Sequence, residues 1–338
     1  MQRIEQDEVI IRKAIVHILD CESGFMKTSN SLLKLGPDLN DFLRGHIFRL
    51  IDSDDMKRCK FYEEASAVYS LLQQFNEKDE DDFIEASKVL AEQLFDIMCE
   101  SIEIPPADLV IVSFQVESQT HLALLKMNYK DSYIHRQVDD EKNDIIRQRT
   151  IPSMGSRLTE AVIINLETME VRLIEKKYDI RDEKVNYLSE MFLTCHTDIA
   201  PKRKFQILNR VINDINNKYE GADVEKKLET KSRLQKEFVE NQEFNVAEIG
   251  EKVFGNDGDK RAAFDEKMER YDMQYDNFAV TKESTVKRLE KQVIVTDSGI
   301  EITIPMEEYQ TRDNVIITKE DNGTTTITIR NIEGVTVK

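Results

Sequence analysis

The sequence predicts an α+β protein with an N-terminal, mainly antiparallel sheet and its covering helices, a helical middle, and a C-terminal β-hairpin unit. Three observations predict it. Strand-like runs rich in Val, Ile and Leu occur at both ends of the chain, and apolar residues recur at helical spacing between them. The connections within each β-rich end are far shorter than the dozen or so residues a parallel crossover needs. The expected boundaries are an N-terminal α+β domain at 1–183, a helical region at 184–280 and a β-rich unit at 281–338.

In the first domain, Val9–Leu19 (VIIRKAIVHIL) mixes apolar residues with Arg12, Lys13 and His17, as a partly buried strand does. Leu109–Val116 (LVIVSFQV) follows the Pro105-Pro106 break, and His121–Tyr129 (HLALLKMNY) begins after four intervening residues, which reads as a hairpin. Ala161–Leu166 and Glu170–Ile174 form a second antiparallel pair. Helical spacing in Phe61–Phe75 and Phe83–Met98 supplies two covering helices, joined by the acidic connector NEKDEDD. Acidic residues there suit a helix N-terminus better than a metal site.

The middle is helical. Val185–Leu193 and Lys204–Tyr219 are amphipathic, and Pro201 in the segment between them suits a first helical turn. Val224–Phe238 is sparser in apolar residues and rich in lysine. FNVAEIGEKVFG reads as a short helix bounded by Asn245 and Gly255, and Ala262–Tyr271 as another. Their glycine-bearing connector suggests a helix hairpin, but Glu248, Glu251, Asp265, Glu266 and Glu269 favour packing over insertion into a DNA groove. At the C-terminus, VIVTDSGIEITIP turns at Asp297-Ser298-Gly299 and NVIITKEDNGTTTITIRNI at Asp321-Asn322-Gly323. Asn-Gly accepts the positive φ angles of a type I′ turn.

Composition narrows the function. The 338 residues are 40% hydrophobic with a formal net charge of −18. That is material for about two domains, with enough apolar content for real cores. No stretch approaches the roughly 18 apolar residues of a membrane span, and the start MQRIEQDEVII is too charged for a secretory signal, so a cytoplasmic location is expected. Cys21, Cys59, Cys99 and Cys195 show no C-x-x-C spacing and read as reduced thiols. An acidic total opposes diffuse attraction to nucleic acid, yet residues 184–240 carry eleven Lys and Arg against nine Asp and Glu, a local net of +2. Two clusters stand out as phosphate-contact candidates. One is Lys202, Arg203 and Lys204; the other is Lys226, Lys227, Lys231, Arg233 and Lys236 on one helix.

Catalytic constellations are weak. The five histidines never form H-E-x-x-H, and Cys195-His196 are sequence neighbours with no evident third partner. Asp54-Asp55 and Asp139-Asp140 invite a metal-dependent nuclease reading, but they supply local charge without the spacing of converging metal ligands. The expectation is therefore no enzyme, no cofactor and no metal.

In order along the chain, KAIVHILD, SLLKLGPDLNDFLRGHI, LVIVSFQV and HLALLKMNY resemble the bacterial 37-kilodalton nucleoid-associated protein family. The likeness continues through YLSEMFLTC, KFQILNRVINDI and the two C-terminal hairpin segments. One departure is DSGIEITIP, which has only Gly299 where similar proteins have a glycine-rich lead into the last sheet. The resemblance implies a place in the bacterial nucleoid and DNA binding, without implying an enzyme. Lys and Arg that neutralise phosphates without a base code suit low-specificity contact with double-stranded DNA. A homodimer is expected to bring two modest basic patches to one duplex. A further protein partner is compatible with this reading, and no membrane role is expected. The alternatives are the nuclease and an acidic adaptor that binds a basic protein without touching DNA.

Overall fold

Eight strands of the N-terminal 200 residues pair into one fully antiparallel sheet. The computed structural model describes residues 4–137, 143–221, 224–281, 283–310, 314–320 and 323–334. Two units emerge, Met1–Ile199 and Ala200–Lys338, and the class is α+β as expected.

The first unit runs β1 (Ile10–Asp20), β2 (Phe25–Lys27), α1 (Pro37–Ile51), β3 (Lys57–Phe61), α2 (Ala67–Gln74), α3 (Glu80–Met98), β4 (Ala107–Val116) and β5 (Gln119–Asn128). It continues with β6 (Lys130–Gln137), β7 (Asn143–Thr150), β8 (Ala161–Asn165), β9 (Val171–Ile174), β10 (Tyr178–Ile180), β11 (Glu183–Val185) and β12 (Cys195–Thr197). The large sheet has the order β12-β3-β9-β8-β5-β4-β1-β2. Its centre explains the unbroken apolar run of β4. Leu109 and Ile111 pack with Leu72 of α2 and Leu90 of α3, whereas Val110, Val112 and Phe114 pack with Leu43 and Ile47 of α1. A strand buried on both faces has no polar side to present.

Both expected hairpins in this unit form. The β4–β5 pair is in register from Ala107↔Asn128 to Val116↔Gln119, and Glu117 and Ser118 close it with φ of 50° and 66°. The β8–β9 pair is antiparallel as read from the sequence. Three elements differ from expectation. Phe61 ends β3, opposite Cys195, and the helix starts only at Ala67, where the Ser66 hydroxyl accepts the Tyr69 N–H. The second sheet face is covered by α1, which was not anticipated. It begins at Gly36-Pro37, with proline in the first turn where a missing N–H costs nothing. Val185–Leu193, expected as an amphipathic helix, holds only a π-helical turn at Leu188–Phe192. Tyr187, Leu188, Phe192 and Leu193 are all buried, so most of this segment enters the core before edge strand β12, with Glu190 left exposed.

Strands β6 and β7 stand apart. Among the described residues they pair only with each other, from Lys130↔Thr150 to Gln137↔Asn143, and no residue of either is buried.

The second unit contains α4 (Pro201–Glu220), α5 (Val224–Asn241), β13 (Phe244–Asn245), α6 (Val246–Phe254), α7 (Gly258–Glu269) and β14 (Asn277–Phe278). It ends with α8 (Glu283–Glu290), β15 (Lys291–Val295), β16 (Glu301–Pro305), α9 (Met306–Gln310), β17 (Val315–Lys319) and β18 (Thr325–Ile329). Pro201 occupies the first turn of α4, and the Asn245 side chain caps α6 by accepting the Glu248 N–H at 3.1 Å. Phe205, Phe238 and Phe278 surround Phe244 with ring centroids 5.2–5.4 Å away. Helices α6 and α7 approach closely because Gly250 has no side chain; a Cβ there would sit 2.8 Å from the Phe264 ring. Two separate hairpins, β15–β16 and β17–β18, close the chain. Ile304, Met306, Tyr309, Val315 and Ile317 pack with Leu228 of α5. Gly299 takes φ of +83° at the first turn. Asp321 and Asn322 of the second turn lie outside the described residues, although Lys319↔Thr325 fixes the strands on either side.

Candidate nucleic-acid interface

The first basic cluster sits on the opening turn of α4. This helix buries a stripe through Phe205, Ile207, Leu208, Val211, Ile212 and Ile215, which turns Arg210, Asn213 and Asp214 outward. Lys202 is half-buried. Arg203 is exposed and donates to Gln206 Oε1 at 3.3 Å. Lys204 is different: its side chain is 13% exposed and its ammonium lies 2.8 Å from Asp276 Oδ2. That contact ties α4 to the loop before β14.

The second cluster is spread around α5, because five positions spanning 226–236 cannot share one face of a helix that turns every 3.6 residues. Lys226, Arg233 and Lys236 are exposed, while Lys227 and Lys231 are half-buried. Lys231 donates to the Lys291 carbonyl at 2.6 Å and to Gln292 Oε1 at 2.9 Å, fastening α5 to β15. Burial pushes its pKa below the ordinary lysine value. Arg233 donates to the Lys252 and Val253 carbonyls at 3.0 and 3.5 Å, which satisfies the last turn of α6. Lys236 lies 3.9 Å from Glu240 one turn on, a pair open to solvent.

Lys226 and Arg233, seven residues apart, do meet at an open cleft of about 190 Å3. Asn216 of α4, Thr230 of α5, and Asn256 and Lys260 beside α7 complete its polar lining, with Glu229 and Asp257 as the opposing charges. Asn216 is buried and donates to Thr230 Oγ1 at 3.2 Å. Asp257 accepts the Lys260 N–H at 3.2 Å as the cap of α7, and its carboxylate also lies 3.1 Å from Lys260 Nζ. Three cations against two carboxylates, with amide and hydroxyl groups between, suit a phosphate more than a neutral ligand. Sequence reasoning missed Asn256 and Lys260. They lie some twenty or more residues beyond the lysine-rich run, and only the packing of α6 and α7 brings them to α5.

The other polar constellations take different forms. Cys195 and His196 lie on strand β12, not at a helix edge, so successive side chains point to opposite faces. Cys195 is buried against the Cys59 thiol, whereas His196 is exposed, 3.9 Å from Asp198. The two cannot act as a nucleophile and its base. Asp54 is buried, and Asp55 pairs with Arg157. Asp139-Asp140 lies outside the described residues. Among the described residues no group of three His, Cys, Asp or Glu side chains is arranged to hold a metal ion. Nor is any helix among them long and apolar enough to cross a membrane.

Comparison with known proteins adds one match. Residues 15–334, nearly the whole chain, match the protein family described as nucleoid-associated protein YejK. No curated protein matches the chain.

Proposed function

The chain belongs to the family of nucleoid-associated protein YejK, and from that membership we propose that it binds double-stranded DNA with low sequence specificity and performs no chemistry on it. Family membership across residues 15–334 is the observation that carries the reading. The contacts proposed are Lys202, Arg203 and Lys204 on α4, and Lys226, Lys227, Lys231, Arg233 and Lys236 on α5. Lysine and arginine neutralise phosphates without reading bases, which suits a protein that coats a chromosome. Within this set, Lys204 and Lys231 already hold Asp276 and the β15 backbone, so their charges are partly engaged within the second unit. Lys226 and Arg233 at the cleft are the better placed contacts. The proposal includes a cytoplasmic, nucleoid location and a homodimer that doubles a modest patch.

A second reading rests on the net charge of −18: the protein is an acidic adaptor that engages a basic protein and reaches the nucleoid indirectly. Nuclease-free protein titrated into duplex DNA and single-stranded DNA over a salt series separates the two. Direct binding is expected, with log K falling linearly in log salt by about 0.9 per phosphate neutralised. Charge reversal at Lys202, Arg203, Lys226, Lys227, Arg233 and Lys236 should weaken binding and flatten that slope. If the folded reversal variant keeps both affinity and slope, the assignment to α4 and α5 fails.

A further inference from the structure

The β6–β7 ribbon presents a surface that the helical clusters do not account for. Its strands run eight residues each, about 25 Å at the rise of an antiparallel strand. All of its side chains are at least partly exposed, and Tyr133 and Ile145 are 75% and 71% exposed. An isolated two-stranded hairpin is marginal in water, so a ribbon held clear of the core needs a reason to persist in that form.

Charge and chemistry indicate the reason. Lys130, Arg136, Arg147 and Arg149 stand against only Asp131 and Asp144, so these strands are net positive in a chain of net charge −18. Direct cross-strand partners share a face, which sets Tyr133 beside Arg147 and Asp131 beside Arg149. Ser132, His135, Gln137, Asn143 and Gln148 add hydrogen-bonding groups on both faces. Three isoleucines, Ile134, Ile145 and Ile146, are the only aliphatic residues, too few for the apolar centre of a protein interface. Two of the guanidiniums are engaged by solvent-exposed carboxylates: Arg147 with Asp131, and Arg149 with Glu22 at 2.7 Å. Exposed ion pairs of this kind are weak and give way to a phosphate.

We propose that the β6–β7 ribbon is a DNA-contacting arm, in which Arg147 and Arg149 meet phosphates of a duplex and Tyr133, on the same face, lies against its groove. The inference rests on the DNA-binding reading and gives it a second, separate contact. A two-stranded ribbon is of a size that B-form DNA admits in its major groove. Asp139, Asp140 and Glu141 of the connection repel phosphate, lie outside the described residues and form no part of the arm.

The full chain tests this directly. It contains no tryptophan, so Tyr133→Trp creates a single indole fluorophore on the ribbon. Duplex DNA should change its emission, with the same midpoint that fluorescence anisotropy of labelled DNA reports. A second variant, Arg147→Ala with Arg149→Ala, should lose at least about tenfold in affinity and shed about 1.8 from the salt slope, at 0.9 per phosphate. Its thermal melt should match that of the unaltered chain, since no core residue is touched. If the unaltered chain binds DNA but the indole emission of the Tyr133→Trp variant stays silent and the double arginine variant binds normally, the arm is overturned while the DNA-binding reading stands. If the unaltered chain does not bind, both fall. If the double arginine variant loses affinity only by turning a dimer into a monomer in light scattering, the ribbon joins copies of the chain and the proposal is overturned.

Discussion

At the scale of single residues, the first unit stakes much of its stability on buried polar groups. Glu160 is fully buried and accepts from the Tyr187 hydroxyl at 2.6 Å, the Tyr178 hydroxyl at 3.1 Å, Lys126 Nζ at 3.3 Å and the Asn128 amide. Burial by itself would raise its pKa and lowers that of Lys126. The ammonium and the three hydrogen-bond donors outweigh it and hold Glu160 below the usual glutamate range. Glu160→Gln leaves the Lys126 charge buried without its counter-ion, and a cost of roughly 3–5 kcal/mol in urea unfolding is expected. Replacing Lys126 by Met in the same chain should recover part of that loss. His17 supplies a pH signature of its own. Its Nδ1 accepts the Ser29 N–H at 3.2 Å, which leaves Nε2 to donate to Ser87 Oγ at 3.0 Å, so the buried ring is neutral. Burial, then the Lys88 charge, lower its pKa from 6.5 to about 4. The unfolded chain therefore binds the extra proton between those values and the folded chain does not, so stability falls as pH drops from 6.5 towards 4. His46, lowered to about 4 chiefly by burial, acts in the same direction. Urea midpoints measured at about pH 7 and about pH 4.5 should show the loss, and His17→Gln should remove part of the difference.

At the scale of elements, turns and caps decide where structure starts. The β4–β5 turn places Glu117 and Ser118 in the left-handed region, where each side chain carries strain that Asn and Gly do not. Glu117→Asn with Ser118→Gly should raise stability by about 1 kcal/mol, read as a higher melting temperature with the β4–β5 register unchanged. Helix starts were readable where a capping residue marks them: Pro201 opens α4 and Asn245 caps α6. Where a terminus depends on partners distant in sequence, the periodic signal misled. Phe61 fits a helical stripe with Ala65 and Val68, but pairing with Cys195 on edge strand β12 claims it for the sheet.

At the scale of the whole molecule, assembly is the open variable that the functional reading depends on. A dimer is proposed to concentrate two basic surfaces on one duplex. Light scattering over a concentration series should give twice the mass of the 39.4 kDa chain. A single-chain mass at every concentration would remove the dimer. Salt sensitivity belongs to the same scale, because a chain of net charge −18 approaching a polyanion works against its own long-range field. Binding that strengthens as salt rises would indicate that screening this repulsion outweighs phosphate contact.

The amino-acid sequence by itself determined the class, the β4–β5 and β8–β9 hairpins, the helices α4 to α7 and the two terminal hairpins, since each of these is encoded by local periodicity and turn chemistry. Tertiary structure decided what those local signals do not contain. It placed α1 over the second face of the sheet, drew Val185–Leu193 into the core as a π-helical turn leading to an edge strand, and held the β6–β7 ribbon out in solvent. It also sorted the lysines. Lys204, Lys231 and Lys226 look alike in sequence, yet the first sits on Asp276, the second on the β15 backbone and the third at an open cleft. A charged side chain acquires its role from the partners that distant segments bring to it, and those distances exist only after the chain has folded.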